Sequence, residues 1–143
     1  MLLASTFACV DILHLGSKQD PSSHHLEHEL SAIYDVTHGA GLAIILPSLL
    51  RYLYKGAPDR FAKFGRVVFG IEENDDEKAA LMSIDALEQF FREIGMPTHL
   101  REIGIGDEHF EQMADKVLRD VGPFGDIHIF DKESIIEMYR LCL

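Results

Sequence analysis

The sequence predicts an all-α fold, a helical bundle forming one domain over residues 1–143. Three observations carry that expectation. Apolar residues recur at three- and four-residue spacing in nearly every segment, the period of a helix with one buried face. Capping residues, glycines and prolines punctuate those segments where helices should start and stop. The one alternating stretch, GDIHIF at Gly125–Phe130, is too short for a sheet of its own. With 143 residues, 47% of them hydrophobic, the chain is long and apolar enough to bury a single core.

The elements follow in order. A first helix is expected from Met1 to about Leu15, ended by Gly16 and the polar turn SKQDPSS. The second should run from about Ser23 to Tyr34, with Leu26, Leu30, Ile33 and Tyr34 as its apolar stripe. The third spans about Thr37 to Tyr54, with Thr37 as N-cap and Pro47 as a possible kink. A short helix over Asp59–Phe69 leads into an acidic loop. Asp76–Ile94 is strongly amphipathic through Leu81, Ile84, Leu87, Phe91 and Ile94, and Gly95 and Pro97 stop it. One more turn is expected at Thr98–Ile103. Asp107 should cap a helix over Glu108–Asp120 that Gly122 and Pro123 end, and Asp131 should cap Lys132–Leu141. The phenylalanines at 61, 64, 69, 90 and 91 read as core.

The totals exclude several functions. Acidic residues outnumber basic ones 24 to 13, a formal charge of −11 that repels phosphate backbones and anionic lipid, so neither nucleic acid nor membrane is expected as partner. The opening MLLASTFACVDIL has no basic flank and reads as a buried helix, not a leader. The longest apolar run, AGLAIILPSLLRYLY, is too short and interrupted to cross a bilayer. Cys9 and Cys142 form no CxxC pair, so a reducing, cytoplasmic setting is expected, with Cys142 serving packing. The run EENDDE lacks the glycine and terminal glutamate of a calcium loop and reads as solvated.

The chemistry concentrates in HHLEHELSAIYDVTHG, His24–Gly39, which holds four of the eight histidines. His24 and His28 are four apart and share a helix face. Both can ligate one divalent first-row metal, or one can ligate while the other handles protons. His38 lies where the second helix should give way to the third, so a reversal there folds it back toward the pair. Gly39 beside it would allow close approach of the backbone. His25 faces away and reads as a solvent residue, and His99, His109 and His128 carry no role. HxxxH alone is more often two exposed polar residues.

HHLEHELSAIYDVTHGAGLAIILPSLLRY resembles the signature segment of the iron-containing (group III) alcohol dehydrogenases, in their butanol-dehydrogenase-like branch. ALEQFFREIGMPTHLREIGI, HFEQMADKVLRD and GPFGDIHIFDKESIIEMYRLCL match the same branch, so the resemblance covers essentially the whole chain. It implies the C-terminal metal-binding domain of such an enzyme, a dehydroquinate synthase-like helical bundle. It implies His24 and His38 as ligands of iron or zinc, and His28 as a catalytic proton-handling residue beside a small alcohol or aldehyde. The family's N-terminal nucleotide-binding domain, with its glycine-rich loop and an aspartate and histidine that complete the metal set, has no counterpart here. Asp11 and His14 form only an incidental DxxH. Metal binding is therefore expected to be weak, and NAD(P) to bind only if a nucleotide-binding half is supplied. Apolar surface left by that missing half predicts such a partner or a homo-oligomer. The contrasting expectation is a stand-alone, non-catalytic association domain with relic ligands.

Overall fold

The computed structural model describes residues 20–143, together with Leu3 and Thr6, both helical. Apart from those two, the expected first helix lies outside the described residues, and so do Cys9, Asp11 and His14. The described elements are α1 (Ser22–Tyr34), α2 (His38–Leu53), α3 (Pro58–Phe64), α4 (Asp76–Glu93), α5 (Phe110–Val121) and α6 (Lys132–Leu141). Short 3-10 turns at Tyr54–Gly56 and Leu100–Ile103 and a π turn at Gly65–Phe69 complete them. No strand forms among the described residues. GDIHIF contributes only an isolated antiparallel bridge between Phe124 and Phe130.

The central helix is α2, which packs against α1, α4 and α6, while α5 closes the core against α1 and α6. Its sequence is apolar almost all round, as a helix buried by neighbours must be. Ile44 and Ile45 are fully buried, with Leu49 and Leu53 nearly so. The helix runs without a break through Pro47, itself buried. From α1, Leu26 and Leu30 enter this core fully buried, with Ile33 and Tyr34 at its edge. Phe110, Met113, Ile135, Met138, Tyr139 and Cys142 fill the far side. No described helix is long and apolar enough to cross a membrane.

Local chemistry sets the ends. Asp131 caps α6 through a reciprocal box: its side chain accepts from the Ser134 amide at 2.9 Å, and Ser134 Oγ accepts from the Asp131 amide at 2.8 Å. Asp75 caps α4 at the Lys78 amide, and Gly95, at φ 80°, supports the left-handed exit. Two expected caps differ. Thr37 precedes α2 but makes no side-chain cap bond, and α5 begins at Phe110 behind His109, because Asp107–His109 is a tight turn in which the Phe110 amide bonds the Asp107 carbonyl.

The amphipathic reading of α4 also shifts in phase. Its inner face is Ala79, Ala80, Ser83, Ile84 and Glu88, while Leu81, Phe90 and Ile94 are exposed. Small residues face inward because α3 and the π turn lie close: a Cβ on Gly65 would sit 2.5 Å from Ser83 Cβ. Glu88 is tolerated inside because Arg51 and Arg92 pair with it. The acidic loop is held rather than free, since Arg66 donates to the Glu73 carbonyl at 2.6 and 3.0 Å and to Asp76 at 2.8 Å. Burial pushes the Cys142 thiol up to about 12, which makes it an inert packing group.

Tyr139 ties α6 to α1, its hydroxyl donating to the Leu26 carbonyl at 2.8 Å inside the core. Tyr139→Phe should lower the unfolding free energy by about 1–2 kcal/mol. It would show as a lower urea midpoint at unchanged slope; an unmoved midpoint would mean this bond contributes nothing.

Candidate metal centre

Three residues of reversal, Asp35, Val36 and Thr37, separate α1 from α2. Asp35 takes the left-handed conformation at φ 55° and ψ 33°, and its amide bonds the Ser31 carbonyl at 3.0 Å. Ser31 Oγ also reaches the Val36 carbonyl at 2.8 Å, so the side chain pins the corner from within. The chain then enters α2 at His38, directly above the face of α1 that carries positions 24, 27, 28 and 31.

Three of the imidazoles converge there. His24, His28 and His38 place one nitrogen each within 4.8 Å of one another, and all three residues are exposed. Ring centroids lie 5.2 Å apart for His24 and His38, 5.5 Å for His28 and His38, and 6.0 Å for His24 and His28. The fourth histidine of the segment does not join them. His25 packs edge-on against Phe124 at 5.2 Å, so it is an anchor for α1 rather than the solvent residue its position suggests.

Beneath the trio lies a group the sequence reading did not single out. Glu27 is fully buried, one carboxylate oxygen against His38 Nδ1 and the other against Ser31 Oγ. Its neighbour Glu29, also buried, is paired with Lys116 at 2.7 Å. The signal for Glu27 was its spacing: 24, 27, 28 and 31 form one helical row, so a glutamate at 27 must share the histidines' face. Gly39 is not the glycine that makes room, since a Cβ there would meet only Met96 Cε at 3.9 Å. Gly41 is: a Cβ there would lie 2.7 Å from Glu27 Cγ and 2.9 Å from Cδ.

The donor set suits a divalent transition metal. Three imidazoles, open to solvent on one side, are the neutral nitrogen ligands that zinc and iron accept, and the cluster leaves space for further ligands. Burial, and then the proximity of His38 and His28, hold the His24 imidazole below its ordinary pKa, so it favours the neutral, ligating form.

The whole chain, residues 1–143, matches the family model described as Fe-containing alcohol dehydrogenase family, C-terminal. This protein belongs to the iron-containing alcohol dehydrogenase family. Its relatives include NADH-dependent butanol dehydrogenase A of Clostridium acetobutylicum, 36% identical over 98% of this chain and 37% of the relative. The probable NADH-dependent butanol dehydrogenase 1 of Bacillus subtilis is 34% identical over 100% of this chain, again 37% of the relative. The crystal structure of NADH-dependent butanol dehydrogenase A from Thermotoga maritima superposes with a TM-score of 0.92 at 30% identity, covering 98% of this chain and 37% of that one. The chain thus forms the family's C-terminal all-α domain and spans little more than a third of the length of these relatives.

The His24 shift has a sign. A histidine held below its unfolded value leaves the unfolded chain binding more protons, so stability falls as pH drops through the imidazole range. In the metal-free chain, His24→Gln should flatten the loss of thermal midpoint between about pH 7 and about pH 5. A slope identical to that of the parent chain would show that His24 does not feel its neighbours.

Proposed function

We propose that this chain is the metal-binding domain of an NAD(P)-dependent alcohol or aldehyde dehydrogenase of the butanol type, with His24 and His38 as metal ligands and His28 as the proton-handling residue. The observation that carries the reading is the convergence of three exposed imidazoles across the α1–α2 reversal. The formal charge of −11 draws cations toward such a cluster. A free buried thiol at Cys142 suits the reducing cytoplasm in which we place it.

His24 and His38 would hold a divalent iron or zinc ion, which would supply Lewis-acid polarisation of an alcohol or aldehyde oxygen. His28 stands one helical turn from His24 and at the exposed mouth of the cluster. From there it exchanges a proton with the substrate hydroxyl through a ring nitrogen, since a neutral imidazole carries both a donor and an acceptor. Hydride transfer belongs to NAD(P) on a nucleotide-binding half, which the chain must meet as another domain or partner to turn over substrate. Two histidines make an incomplete set, so this domain alone holds metal weakly and the other half supplies the remaining ligands.

Surface supports such a partner. Val67, Val68, Met82, Phe90 and Ile94 are exposed around α4, where a cavity of about 500 Å³ opens between Phe69, Ile71 and Phe90. Exposed apolar groups clustered like this mark association surfaces.

Zinc titration of the isolated chain tests the assignment. His24→Ala and His38→Ala should each weaken binding by about tenfold or more, while His28→Gln retains it. A parent chain that takes up no zinc would contradict the metal reading, and His28→Gln losing as much as the others would make His28 a ligand.

A further inference from the structure

Three buried glutamates differ in what faces them. Glu29 meets Lys116, and Glu88 meets Arg51 and Arg92, each a permanent cation. Glu27, whose side chain is 0% exposed, pairs among the described residues with no lysine or arginine, and its ring partner is His38. A buried carboxylate without a fixed cation is costly unless its oxygens are hydrogen-bonded; the His38 ring meets one oxygen of Glu27, and the Ser31 hydroxyl lies against the other, sharing its single proton between Glu27 and the Val36 carbonyl. The fold also makes room for it. Gly41, inside the first turn of α2, is a weak helix former compared with alanine, yet a side chain there would collide with the carboxylate.

The consequence falls on His38. A carboxylate accepts and cannot donate when ionised, so contact at Nδ1 selects the tautomer that carries its hydrogen there. Nε2 is then the free lone pair, on a ring whose side chain is 49% exposed. We propose that Glu27 is a positioning residue for the metal centre. It fixes the orientation and tautomer of His38, so that Nε2 faces the cluster, and thereby sets the cluster's affinity for a divalent cation. This rests on the metal reading above. It adds a residue outside the ligand set and makes Gly41 part of the same device.

Two readouts test it on the 143-residue chain. The first needs no metal: ¹⁵N-labelled protein, treated with chelator above the imidazole range, reports the His38 tautomer by long-range ¹H–¹⁵N correlation. The Nδ1–H form is expected in the parent chain, and the Nε2–H form there would overturn the proposal without any variant having to fold. The second is cobalt(II) titration followed by d–d absorption. Glu27→Leu, which fills the buried space without an acceptor, should weaken cobalt binding about tenfold to a hundredfold. Glu27→Gln, which keeps an acceptor oxygen, should recover most of it. Gly41→Ala, which leaves every donor in place, should weaken binding through the displaced carboxylate. Parent affinity and spectrum in a folded Glu27→Leu would overturn the proposal. A parent chain that binds no cobalt while His38 stays in the Nδ1–H form would reject the metal reading and leave the Glu27–His38 contact standing.

Discussion

The rotational phase of α1 is the constraint on which the rest of the structure depends. Leu26 and Leu30 are fully buried against α2 and its neighbours, and the Tyr139 hydroxyl grips the backbone at Leu26. With that side committed to the core, the row 24, 27, 28, 31 has one direction left, toward the start of α2. A rotation of a single residue, about 100°, would expose two leucines, at about 1.5–3 kcal/mol each. The geometry of the imidazole cluster is therefore set by aliphatic packing rather than by the histidines themselves.

The reversal at Asp35 completes the arrangement. The reversal is short and held by Ser31, so it keeps His38 beside the first two rings and brings Gly41 of α2 against the Glu27 carboxylate. The layers stack outward from the core: leucines, then a buried carboxylate, then three exposed imidazoles. Such an order gives an imidazole face that is supported from below and open above. The chain belongs to the iron-containing alcohol dehydrogenase family and superposes on a butanol dehydrogenase at a TM-score of 0.92 over 98% of its length.

Most of this was legible in the sequence, where a strong local rule and tertiary packing agreed. The leucine stripe of α1, the capping aspartate at 131 and the glycine stop at 95 each depend on neighbours a few residues away, and the structure places them as expected. The convergence of His24, His28 and His38 was legible from spacing plus one inferred reversal. The misses share a cause: partners distant in sequence. Glu27 goes unremarked in the sequence until Gly41 and His38 are placed above it. Leu81 and Ile94 fit an apolar helix period, yet both are exposed, because α3 and the π turn pack closely on a face of α4 that carries Ala79, Ala80 and Ser83. His25 looks solvent-facing until Phe124, a hundred residues later, packs on its ring. Asp107 resembles a cap, but the turn at 107–109 takes its place in the backbone, and α5 starts beyond it.

The measurement closest to the central claim is zinc K-edge X-ray absorption of the zinc-loaded chain, because it reads the first coordination shell directly. Ligation by imidazoles converging across the α1–α2 reversal predicts a nitrogen and oxygen shell at about 2.0–2.1 Å with the outer-shell multiple scattering of at least two histidine rings. A shell of oxygen donors without that imidazole signature would contradict it.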